Sequence, residues 1–203
     1  MGVTLDEIKK LRELSGVGLT DAKKALVEAN GDFDKALKAM REKGLTKAEK
    51  RGEREAREGL IESYVHNGRI GVIVEINCET DFVARTDQFK ELAHEVAMQV
   101  AAMHPKWVSK KDVPEQVKAD KRAELVEAAK NDPKNANKPA DILDKIIDGQ
   151  LKKYFSELVL MDQPYWKDDS KDMGTMIKEN IAKLGENIVV RRFARFELGV
   201  TED

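Results

Sequence analysis

Two hydrophobic periodicities divide the chain. In residues 1–43 apolar positions recur at three and four: Leu5, Ile8, Leu11 and Leu14, then Leu19, Ala22, Leu26 and Ala29, then Phe33, Ala36, Leu37 and Met40. Each set lines one helical stripe, so three short amphipathic helices are expected. Thr4 and Glu7 form a capping box ahead of the first, and Ser15-Gly-Val-Gly18 stops it. Asn30-Gly31 is a left-handed helix end, and Asp32 can cap the third helix. Residues 44–59 carry almost no apolar positions. Lys50 with Arg54, and Glu53 with Arg57, stand one turn apart, and Thr46 with Glu49 repeats the capping pattern. A solvated, charged helical linker is expected there.

From residue 60 the period changes to two. Leu60–His66 is rich in β-branched and aromatic residues, and Asn67-Gly68 is a strong hairpin signal. Ile70, Val72, Val74 and Ile76 then alternate with polar or small residues, so two antiparallel strands are expected. A helix is expected from about Val83 to Met103, with Phe82, Phe89, Leu92, Ala93, Val96, Ala97 and Val100 along one stripe. Further helices follow over 115–130, over 139–160 with a break at Asp148-Gly149, and over 171–184, ended by Gly185. Asn131–Pro139 reads as a turn-rich separator. The last strand spans 187–198, with Ile188, Val190, Ala194, Phe196 and Leu198 on one face. The fold class is α+β: a three-helix bundle (1–43), a charged helical linker (44–59) and a core domain (60–203) with a small three-stranded antiparallel sheet and helices on one side.

The junction between the second strand and the long helix is Cys78-Glu79-Thr80-Asp81-Phe82-Val83. Thr80 or Asp81 can cap the helix by accepting a first-turn amide. A tight corner there holds Phe82 at the tip of a stiff junction, where the ring either fills core or is presented to another protein. The strand's residues alone leave both uses open.

Composition then narrows the chemistry. The 203 residues hold 36 Lys+Arg against 38 Asp+Glu, a formal net charge of −2. That balance provides no global field for nucleic acid. Arg191, Arg192 and Arg195 beside Phe193 and Phe196 suggest RNA contact, but pairing with Glu197 or nearby helices serves them equally. Cys78 is the only cysteine, so no intrachain disulfide can form and a reducing, cytoplasmic setting fits. No run is long and apolar enough to span a membrane. His66, His94 and His104 are scattered without metal-ligand spacing. Gly16-Val-Gly18 lacks the strand and the Lys-Ser/Thr of a phosphate loop. No nucleophile–base set, cofactor site or metal site emerges, so a non-enzyme is expected. The small bundle alone suggests a protein-binding adaptor of ubiquitin-associated type.

Two stretches carry a family resemblance: Leu11–Leu26 (LRELSGVGLTDAKKAL) and Glu75–Arg85 (EINCETDFVAR), with Arg191–Gly199 (RRFARFELG) in support. The chain resembles the bacterial-type elongation factor Ts family, nucleotide exchange factors of elongation factor Tu. The resemblance covers the whole chain. It implies that Thr80, Asp81, Phe82 and Val83 reach the partner's nucleotide domain near its Mg²⁺ and phosphate region. It implies that the ubiquitin-associated-like bundle docks through Arg12, Leu19, Thr20 and Lys23, with Leu19-Thr20 standing where many members have a Met pair. It also implies translation as the setting, with no covalent chemistry and no cofactor. The chain has room for one copy of the core subdomain where many members carry two. A homodimer binding two partner molecules is therefore expected, with the long, apolar last strand as its seam.

Overall fold

A computed structural model describes residues 3–15, 18–132, 135 and 138–200. Expected features at Gly16-Val17 and at Pro133, Lys134, Ala136 and Asn137 lie outside the described residues. The chain forms two compact units, Met1–Ala101 with Gly174–Asp203, and Ala102–Met173.

The first unit begins with α1 (Leu5–Ser15), α2 (Leu19–Glu28) and α3 (Phe33–Arg51). The capping box forms reciprocally: the Thr4 amide donates to Glu7 Oε2 at 2.8 Å, and the Glu7 amide donates to Thr4 Oγ1 at 3.3 Å. Thr4, by its backbone amide first, holds the Glu7 carboxyl below the usual carboxylate range. Asn30 and Gly31 close α2 at positive φ, 53° and 82°. Asp32 caps α3 through the Lys35 amide at 3.0 Å. Ile8, Leu11, Ala22, Ala25, Leu26, Ala36 and Met40 form the bundle core. Burying Leu11 and Leu26 completely stabilises the bundle by about 2 kcal/mol each. Leu5 and Leu14 stay exposed, so the buried stripe of α1 is Ile8, Leu11 and Ser15.

One expectation fails in α3. Thr46 opens no new helix, because its hydroxyl donates to Glu42 O within a continuous α3. Gly44 lies where an added Cβ would stand 3.2 Å from Ala182 Cβ, so the late turns of α3 pack closely on α8 (Met173–Leu184). Arg51 donates to Ile181 O at 3.3 Å, and Lys178 pairs with Glu49 at 2.8 Å, along the same seam.

The sheet of this unit has the order β1–β2–β5, all antiparallel: β1 (Glu58–His66), β2 (Ile70–Cys78) and β5 (Val189–Glu197). Asn67 and Gly68 sit at positive φ, 50° and 67°, as the hairpin turn requires. Val72, Val74 and Ile76 are buried on one face. On that same face Glu62 and Tyr64 of β1 meet His94, and Arg195 of β5 donates to Ala101 O. These ties lay α5 (Asp87–Met103) across the face.

The long helix expected from Val83 is two helices. α4 (Asp81–Ala84) is a single turn, and α5 starts at Asp87. Thr86 makes the break: its hydroxyl donates to Val83 O at 2.7 Å and accepts the Phe89 amide at 3.2 Å, capping α5.

The last strand departs from the expected single apolar face. Glu75 pairs with Arg192 and Ile76 with Val190, so Arg191 is an extra residue in a bulge. Ile188 and Val190 are buried, while Ala194 and Phe196 point to the opposite, open face. Arg191 is held there by Asn77 Oδ1 and Ala56 O, each at 3.0 Å.

The second unit contains α6 (Glu115–Asn131) and α7 (Ala140–Leu158), joined side by side by Arg122 with Asp144 and Asp148 and by Lys121 over the Tyr154 ring. α7 runs through Asp148-Gly149 without the expected break. Val113, Phe155 and Val159 form its core with Trp107, Val117, Leu151 and Tyr154. A small hairpin, β3 (Pro164–Tyr165) with β4 (Asp168–Asp172), was not expected, since its polar run lacks a strand-like alternation.

Candidate functional site

The corner begins where β2 ends. Cys78 is fully buried and its thiol donates to Thr80 O at 3.1 Å. Burial, and next the nearby Glu186 carboxylate, push this thiol up to about 11. It is a packing group, not a nucleophile. Thr80 adopts an extended N-cap conformation and accepts the Val83 amide. One turn of helix follows, and it buries Ala84 while turning Phe82 outward.

Phe82 is 82% exposed, the most exposed of the large apolar side chains described. Its ring therefore does not fill the protein's own core, and that use is removed. Asp81 pairs with Arg85 at 2.8 Å one helical turn on. Among Thr80, Asp81, Phe82 and Val83, the structure thus brings together a cap, a surface ion pair and a presented aromatic.

A single turn of helix does not hold itself together in water. Here it is anchored by Glu186, which sequence reasoning missed. The Glu79 and Thr80 amides donate to Glu186 Oε2 at 3.1 and 3.0 Å, and the Thr80 hydroxyl donates to Oε1 at 2.6 Å. Glu79 reciprocates by accepting the Asn187 amide at 2.6 Å and pairing with Arg54 at 3.5 Å. Asn187 Nδ2 donates to Arg54 O at 2.7 Å. Glu186 lies 106 residues from Thr80, beyond any local spacing rule. Its only signal is position, directly after Gly185 closes α8 at φ 82°.

The bundle residues singled out from the sequence are all at the surface. Arg12 is exposed on α1, and Leu19, Thr20 and Lys23 are exposed on α2. Leu19, read equally well as bundle core, is 46% exposed at the first turn of α2, with Val27 further along also exposed. Asp21, between them, turns inward to Lys43 at 3.0 Å and Lys47 at 3.1 Å. Those bonds, Lys43 first, hold its carboxyl below the ordinary range and tie α2 to α3.

The arginine cluster of β5 is engaged within the fold. Arg192 pairs with Glu75 and Arg195 with Glu197, each at 2.7 Å. Among the described residues no group of three His, Cys, Asp or Glu side chains could hold a metal ion. No described helix is long and apolar enough to cross a membrane.

Comparison with known proteins bears on this geometry. A family profile described as elongation factor Ts matches residues 19–200. The chain belongs to the elongation factor Ts family. Among its relatives, the elongation factor Ts of Thermotoga neapolitana is 52% identical over 200 residues, 98% of each chain. That of Coprothermobacter proteolyticus is 50% identical over 200 residues, 98% of this chain and 100% of the relative. That of Thermodesulfovibrio yellowstonii is 45% identical over all 203 residues of both. Membership in the elongation factor Ts family places the chain among translation elongation factors. The likeness extends through the α6–α7 unit as well as the sheet.

Proposed function

We propose that the protein is a guanine-nucleotide exchange factor for elongation factor Tu, acting in the cytoplasm during protein synthesis. The observation that carries this is Phe82, presented at the tip of an anchored corner with its ring open to a partner. An exposed aromatic on a stiff mount can enter a pocket at low entropic cost. The bundle docks on the partner's nucleotide domain through Arg12, Leu19, Thr20 and Lys23. Phe82 then inserts between helices that support the partner's Mg²⁺, and Asp81 engages the polar groups displaced there. Thr80 and Val83 hold the corner's shape.

The partner's Mg²⁺ demands near-ideal octahedral geometry, so a small displacement of its supports weakens it strongly. GDP loses metal and phosphate contacts and leaves, and GTP refills the site. Coupling is reciprocal: GDP weakens factor binding by the same ratio as the factor weakens GDP. No covalent bond is made or broken.

The protein acts as a homodimer that binds two partner molecules. Support comes from the open face of the sheet, where Ile61, Val65, Ile73, Phe196 and Leu198 are all exposed. Both ends of the strand order, β1 and β5, are also edges. A second copy of this face would cover it.

The test is release of a fluorescent GDP from elongation factor Tu with and without the protein. Wild type should accelerate release by orders of magnitude, and Phe82→Ala should lose most of that effect while remaining folded. Equal release with and without wild-type protein would refute the reading.

A further inference from the structure

We propose that Glu186 is a positioning residue: its carboxylate holds the Thr80–Val83 corner in the geometry that engages the partner, and it is not merely part of the scaffold. This deepens the exchange-factor reading and rests on it.

The corner has few other restraints. α4 is four residues long, and Ala84 is the one residue of it that is buried. The Thr80 cap to the Val83 amide is long, 3.4 Å. By contrast Glu186 receives three donors, two from backbone amides and one from the Thr80 hydroxyl, at 2.6–3.1 Å. Bonds to an ionised acceptor are about twice as strong as neutral ones. The hydroxyl that caps α4 therefore has its proton directed to Glu186 and its lone pair directed to Val83. One side chain fixes both the orientation of the cap and the two amides that precede it.

The bracket continues on the other side. Asn187, the next residue, donates its amide to Glu79 and its side chain to Arg54 O, in the segment that leaves α3. The corner is thereby referenced to the helix that comes from the bundle. Both partner-facing surfaces then share one polar reference point, Glu79-Glu186-Asn187.

The consequence separates docking from release. Docking through the bundle does not use the corner, so losing Glu186 leaves it largely intact. Release requires the corner in its engaged form. If the loosened corner holds that form about a tenth of the time, release at saturating factor falls about ten-fold.

The experiment titrates wild type, Glu186→Ala, Glu186→Gln and Phe82→Ala against elongation factor Tu carrying fluorescent GDP. It reads the saturating release rate and the half-saturating concentration separately. Amide hydrogen exchange at Glu79, Thr80 and Val83 is followed in the free protein. Glu186→Ala should lower the saturating rate about ten-fold, change the half-saturating concentration less than three-fold, and speed exchange at the three amides. Glu186→Gln keeps the shape and one acceptor oxygen, and should fall between wild type and Glu186→Ala. It also carries the test if the alanine variant fails to fold.

A merely structural role predicts the opposite split, a raised half-saturating concentration with an unchanged saturating rate, and that result overturns the proposal. Unchanged amide exchange in both variants overturns it without reference to any partner. A wild type that fails to accelerate release refutes the exchange-factor reading itself. A loss in Phe82→Ala with full activity in both Glu186 variants refutes only the positioning role.

Discussion

At the residue scale, exposure and burial settle what the sequence leaves open. Phe82 could be core or contact when read from spacing alone, because the strand–helix pattern accommodates both. Its outward ring means that Phe82→Ala should change folding stability by no more than about 0.5 kcal/mol. A urea titration checks this, and a loss of several kcal/mol would return the ring to the core. Cys78 behaves in the opposite way. Its folded thiol is raised to about 11 from an ordinary 9.0, so the unfolded chain ionises first. The unfolded state then binds fewer protons between those values, and stability must fall as pH rises through that window. Below about pH 9 the contribution is fully present. Cys78→Ala should remove this alkaline slope in thermal melts, whatever it does to the melting temperature at pH 7. Native Cys78 should also resist alkylation at pH 8 and react once the chain is unfolded.

At the element scale, what was legible followed from strong local chemistry. The Thr4–Glu7 box, the Asn30-Gly31 end, the Asp32 cap and the Asn67-Gly68 hairpin all form where their residues stand. The misses share a different cause. Thr86 splits the expected helix because a threonine before an aspartate competes with the helix that the apolar stripe suggests. Thr46 sits in an equally good capping context, yet packing of Gly44 on Ala182 keeps α3 continuous. Both threonines carried a capping signal: the local bonds of Thr86 carried it through, whereas tertiary packing overrode it at Thr46. Glu186 had no signal beyond its place after Gly185, since its donors lie in a different third of the chain. Gly59 was likewise silent. It sits at φ 144°, and a Cβ there would collide with the Ile76 carbonyl oxygen. Gly59→Ala should force β1 away from β2 at a cost of about 3 kcal/mol. For a protein of this size that lowers the melting temperature by roughly 5–10 °C, readable by calorimetry. A shift under 1 °C would mean that the strand pair is free to adjust.

At the scale of the whole molecule, the three-stranded sheet has one face under α5 and one face open. The open face places Ser63, Ile73 and Ala194 in one row, and Val65, Gly71 and Phe196 in the next. Exposed apolar surface of this kind points to association. Phe196→Lys should give a monomer in sedimentation at micromolar concentration, with the far-ultraviolet circular dichroism unchanged. Wild type and variant sedimenting alike would remove the dimer through this face. That face exists because Arg191 is an extra residue between Val190 and Arg192. In an ordinary strand, excising one residue inverts every side chain that follows. Here the excess has already been absorbed, so Val190 and Arg192 look to opposite sides although two positions apart. A protein lacking Arg191 should therefore still fold, with Phe196 facing solvent as before, and lose only the guanidinium links to Asn77 and Ala56. The same excision made at Ala194 would have no slack to draw on. Phe196 would turn under the helix, the Arg195 guanidinium would be expelled into water, and an in-frame one-codon loss three positions from a harmless one would abolish the sheet.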